Sequence, residues 1–143
     1  MDVGLTHVAL TVRDAEASRR FYERYAGMQV VHRRSEDGAA VLWLSDRTRP
    51  FVVVLIERDP PDPPLGGWQH LGVSLAGRDE VDRLAARARA EGHLVSEPLD
   101  HGEPVGYVAV LRDPDGHQVE LSHGQEVGLV VASADGQRSR TEA

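Results

Sequence analysis

The chain has 143 residues, 41% of them apolar, enough for one domain with its own core. A formal charge of −7 argues against a nucleic-acid partner, and the absence of cysteine excludes disulfides, thiolate nucleophiles and thiolate metal sites. Every basic side chain is arginine, which excludes lysine Schiff-base chemistry and leaves the polar work to seven histidines, the carboxylates, tyrosines and hydroxyls.

The opening, MDVGLTH, has neither a basic start nor a long apolar core, so no leader is read and a cytoplasmic protein is expected. The first strand is predicted over 5–12 and a helix over about 14–25, with Asp14 and Gly27 at its ends and Ser18, Phe21, Tyr22 and Tyr25 at helical spacing. After AGMQVVHRR come two extended runs, 39–45 and 51–57. The apolar part of the second is far too short to cross a membrane. DPPDPPLGG, 59–67, cannot be helix interior or central strand and reads as a linker.

The order then repeats. A strand is predicted over 69–75 and a helix over about 79–90, with Asp79 as N-cap, Gly92 beyond the end, and Val81, Leu84, Ala85 and Ala88 in one stripe. After EGHLVSE (91–97), strands at 106–112 and 117–122 flank DPDG, which reads as a type I turn, and 132–143 reads as a frayed polar tail. Both halves therefore read β-α-β-β-β. Four histidines, His32, His93, His117 and His123, read as surface residues. GVSLA at 72–76 lies inside a strand, where a nucleophile elbow has no place.

His7 and His70 stand at the same point of the two repeated strands, 63 residues apart. Side chains alternate along a strand, so His7 shares a face with Ala9 and Thr11, and His70 with Gly72 and Ser74. Branched residues fill the opposite faces. In the last strand Val119 and Leu121 oppose Glu120 and Ser122, which sets Glu120 on the face of the histidines. Two imidazoles and a carboxylate make an N₂O set with open positions, suited to Fe(II), Mn, Ni or Zn.

LTHVALTVRD (5–14), FYERYAGMQVV (21–31), QHLGVSL (69–75) and DPDGHQVELSHG (113–124) resemble the vicinal oxygen chelate superfamily. That group includes glyoxalase I, extradiol dioxygenases and bleomycin-resistance proteins. The likeness implies an α+β fold in which two βαβββ modules form an eight-stranded, cup-shaped mixed sheet with helices on its outer face. One domain would fill 1–143: module 1 over about 4–58, linker 59–67, module 2 over about 68–124 and tail 125–143.

The resemblance implies that His7, His70 and Glu120 hold one divalent ion. The candidate for the fourth ligand found in many of these enzymes is Glu57, but matching WLSD (43–46) to VLRD (110–113) sets Val53 opposite Glu120 and leaves that ligand missing. His101 matches a histidine of extradiol dioxygenases that lies on the substrate side of the metal without ligating it, and is, with Glu120, the candidate catalytic group. That pattern's tyrosine falls on Val110; Tyr107, three residues earlier, belongs to the opposite strand face. The implied function is a metal-dependent lyase, isomerase or dioxygenase acting on a small substrate chelated through two adjacent oxygens. The alternative is a metal-free protein sequestering a bleomycin-type or other aromatic product, its cup lined by Trp43, Trp68 and Tyr107. Open strand edges and the habit of related two-module chains predict a homodimer.

Overall fold

The computed structural model describes residues 1–141; residues 142 and 143, the end of the expected tail, lie outside it. Module 1 runs β1 (His7–Val12), α1 (Ala15–Ala26), β2 (Gln29–Glu36), β3 (Ala39–Ser45) and β4 (Val52–Glu57). Module 2 runs β5 (Leu71–Ser74), α2 (Arg78–Glu91), β6 (Leu94–Asp100), β7 (Tyr107–Arg112) and β8 (Gln118–His123). A third helix, α3 (Val127–Thr141), takes up the stretch predicted to be a frayed tail. None of the helices among the described residues is long and apolar enough to cross a membrane.

Local chemistry sets the helix ends. Asp14 caps α1, its carboxylate accepting from the amides of Glu16 and Ala17, and Gly27 closes it in the left-handed region at φ 62°. α2 begins one residue before the expected start. Its cap is Gly77, where an added Cβ would stand 2.5 Å from Asp79 Oδ1; Asp79 and Glu80 sit in the first turn, where the helix dipole favours them. The stripe of Val81, Leu84, Ala85 and Ala88 is buried, as its spacing requires.

The cup is not formed. The strands pair as two separate four-stranded sheets, ordered β1-β4-β3-β2 and β5-β8-β7-β6, with β1 parallel to β4 and β5 parallel to β8. Each module satisfies its ladder internally, so β1 and β5 remain edge strands. The modules meet through side chains instead. One core takes in Tyr22, Tyr25, Leu55, Leu84, Leu111 and Leu121 from both. Tyr25 donates to Glu91 at 2.6 Å and Arg24 pairs with the same carboxylate at 2.7 Å, tying α1 to α2.

A second join is polar and deeply placed. The hydroxyl of Tyr22, fully buried, donates to Asp113 Oδ2 at 2.8 Å, and Asp113 Oδ1 accepts from the amides of Asp115 and His117. Burial raises the pKa of both Tyr22 and Asp113. His117, predicted at the surface, is 3% exposed. Its Nδ1 accepts from the Leu65 amide at 3.0 Å and its Nε2 donates to the Thr11 carbonyl at 2.9 Å. One ring thus spans the linker, β1 and the DPDG turn.

Candidate metal centre

Alternation along β1 places His7 and Ala9 on the exposed side of the first sheet, while Leu10 and Val12 are buried beneath it. Thr6 Oγ1 lies 2.9 Å from His7 Nδ1. The second sheet repeats the pattern. His70 precedes β5 on an exposed stretch, and Gly72 pairs in register with Glu120, between buried Val119 and Leu121.

His70 and Glu120 converge. The Trp68 carbonyl lies 2.8 Å from His70 Nδ1; a carbonyl only accepts, so the ring proton belongs on Nδ1. Its other ring nitrogen, Nε2, faces Glu120 Oε2 at 3.3 Å, an ion pair whenever the ring is protonated. An imidazole nitrogen and a carboxylate oxygen at that spacing are two groups that a cation could share in place of a proton, and the carbonyl behind Nδ1 is the kind of partner that fixes a ligating imidazole. Gln125 Nε2 donates to the other carboxylate oxygen at 3.4 Å.

His7 does not join them. Among the described residues no cluster of three or more His, Asp or Glu side chains is placed to hold a metal ion. The residues present therefore fit a metal in part: two donors meet within one chain, and the third stands on the open edge of the other sheet.

Glu57 faces away from His7. It registers with Val12 on the buried side, and its Oε2 accepts from the Ala15 amide at 3.0 Å, holding the first turn of α1. The residue that occupies the place of Glu120 in module 1 is Val54, one later than the local sequence match suggests. Ala9, two after His7, pairs with Val54, just as Gly72, two after His70, pairs with Glu120.

His101 is exposed at the start of the β6–β7 loop, which its amide closes by donating to the Gly106 carbonyl at 2.9 Å. Gly106 is required there: at φ 87°, a Cβ would meet the His123 carbonyl at 2.5 Å, so the loop lies tight against the end of β8. Tyr107 points to the helix side, its hydroxyl donating to Asp82 and its ring beneath Arg78 at 4.7 Å. Trp43 lies on the open face of the first sheet, and Trp68, 96% exposed, belongs to the stretch leading into β5.

A model of the Glyoxalase/Bleomycin resistance protein/Dioxygenase superfamily matches residues 4–121. The chain belongs to this superfamily. Among its relatives, the uncharacterized protein PA2024 of Pseudomonas aeruginosa is 41% identical over 131 residues, covering 90% of this chain and 94% of that protein. A solved glyoxylase/bleomycin resistance protein/dioxygenase domain from Frankia sp. EAN1pec is 26% identical, with TM-score 0.67 over 87% of this chain and 99% of that one. A variant of the fosfomycin resistance protein FosX from Listeria monocytogenes, complexed with Mn(II) and a dihydroxypropylphosphonic acid, superposes with TM-score 0.70 over 92% of this chain and 99% of that one. At 19% identity it speaks for the superfamily fold alone.

Proposed function

We propose that this superfamily member is a metal-dependent enzyme acting on a small substrate chelated through two adjacent oxygens. In this reading His70 and Glu120 of one copy and His7 of a second copy hold one divalent ion, Fe(II), Mn, Ni or Zn, in a homodimer. The observation that carries it is the convergence of the His70–Glu120 pair, with Nδ1 of the ring held by the Trp68 carbonyl and Nε2 turned to the carboxylate. The separation of His7 from that pair, and its place on an unpaired edge, support assembly of the third ligand from another chain.

When bound, the ion supplies Lewis acidity, suited to a glyoxalase-like lyase or isomerase or to an extradiol-dioxygenase-like enzyme. Glu120 and Nε2 of His70 would donate the electron pairs that hold it. His101, exposed in a loop anchored against β8, moves the substrate's proton. The charge of −7 speaks against nucleic acid, and a chain without cysteine loses nothing in the reducing cytoplasm, where we place it.

The test is metal analysis after reconstitution with Fe(II), Mn, Ni and Zn. His70→Ala and His7→Ala should each lose most of the bound metal. Mixing and refolding the two variants together should restore roughly a quarter of the wild-type sites, since a mixed dimer keeps one intact site of two. Negligible metal in the wild type would defeat the enzyme reading and favour a metal-free binding protein. Metal in the wild type without recovery in the mixture would remove the second copy from the site.

A further inference from the structure

The open face of the first sheet carries a cluster that metal binding does not use. Register sets one row across its four strands: His32 opposite Trp43, Trp43 opposite Val54, and Val54 opposite Ala9. The next row, Arg34, Val41, Ile56 and Thr11, is covered beyond Arg34: Val41 is fully buried and the linker's Asp62 amide is bonded to Thr11. Trp43 keeps 37% of its surface exposed in this otherwise small or aliphatic neighbourhood. The His32 ring lies 4.9 Å from the Trp43 ring, tilted by 59°, and Arg34 Cζ is 5.7 Å from the ring centroid.

Arg34 is the arginine of this face. Arg33 registers with buried Leu42 on the other side and is bound to Glu16 at 2.6 Å. Glu36 engages Nε and Nη2 of Arg34 at 2.9 Å through a single oxygen, leaving Nη1 without a partner among the described residues. An indole stacks on planar rings, and a guanidinium with free donors pairs with planar anions. On a chain of net charge −7, an anion needs a local cation such as Arg34.

We propose that Trp43, Arg34 and His32 form a subsite for a planar aromatic carboxylate. Its place relative to the chelated oxygens rests on the reading of His7 as a metal ligand; the subsite itself does not. β1 and β3 are two strand spacings apart, roughly 10 Å. A ligand chelated beside His7 therefore reaches Trp43 only with a body the size of a fused bicyclic ring, lying over exposed Ala9, since Val54 beside it is 7% exposed. Ala9, with its single methyl group, leaves room for it.

The experiment uses metal-free full-length protein and two probes of equal shape, 2-naphthoate and 2-naphthalenemethanol. Trp68→Phe leaves Trp43 as the sole indole, so its fluorescence reports the subsite directly. Naphthoate should bind saturably, one per chain, and change that fluorescence. Arg34→Gln, an exposed change that spares the core, should weaken naphthoate by about tenfold and leave the alcohol nearly unchanged. Trp43→Leu should weaken both probes. Equal affinity for acid and alcohol, an Arg34→Gln variant that binds naphthoate as the parent does, or no saturable binding with or without Zn would overturn the proposal. Naphthoate binding by a protein that takes up no metal would uphold the subsite and defeat the metal reading alone.

Discussion

Asp46 and Asp113 end the third strands of their modules in matching surroundings, WLSD and VLRD, yet they lead opposite lives. Asp46 is exposed and folds back on its own turn, accepting from the Thr48 amide at 2.9 Å and hydroxyl at 2.7 Å. The Thr48 hydrogen bonds lower its pKa against a partial burial that raises it. Asp113 is 3% exposed and holds Tyr22 of the other module, and burial raises its pKa. The same divergence separates Val54 from Glu120 at equivalent places beside the two histidines. A repeated scaffold fixes where a side chain stands; what packs against that place decides whether it serves a turn, a join or a ligand.

The comparison breaks most sharply by deleting each aspartate. Asp113→Ala strands a buried hydroxyl and two amides and should cost about 3 kcal/mol, whereas Asp46→Ala loses only solvent-accessible bonds and should cost under about 1 kcal/mol. Urea denaturation measures both, and equal losses would erase the distinction. Next in size is His117→Ala, which leaves the Leu65 amide and the Thr11 carbonyl without their shared partner. It should cost about 2 kcal/mol; a loss below about 0.5 kcal/mol would mark a surface residue.

The smallest effect sharpens the contrast with the exposed join. Glu91 is held at a pKa of about 2 by the Tyr25 hydroxyl first, then by Arg87 and Arg24. Its folded-state pKa lies below the ordinary 4.5, so its contribution is present above pH 4.5 and is lost as pH falls toward 2. Glu91→Gln should lower the melting temperature slightly at pH 7 and flatten its decline between those values. A parallel decline in variant and parent would take Glu91 out of the acid response. Asp113 has the reverse sign: its raised pKa makes its ionisation a cost that grows as pH rises above the unfolded value.

Alternation and capping made much of this legible. The faces of β1, β5 and β8, and the ends Asp14, Gly27 and Gly92, follow from residue types at fixed spacing. The direction of Glu57 was hidden because the run before it, Phe51–Ile56, is apolar at every position, so alternation has no contrast to display. Counting back from Glu57 to buried Leu55 and Val53 recovers its face once the core is known. The expected cup failed for a different reason. Periodicity encodes which side of a strand is apolar, not which strand lies beyond its edge. His117 escaped notice because its partners are backbone groups of Leu65 and Thr11, 52 and 106 residues away in the chain, which leave no mark on side-chain pattern.

The proline-rich connection between the modules is laced down rather than slack. The Asp62 amide donates to Thr11 Oγ1 at 2.8 Å, the Leu65 amide to His117, and the Leu65 carbonyl accepts from Gln118 at 2.9 Å. It behaves as a stiff spacer, and the freedom of one module to swing against the other is lost when the chain folds. In the homodimer proposed above, an incoming copy would meet a preorganised template, and its association would surrender rigid-body motion without a further entropy charge for aligning the two sheets.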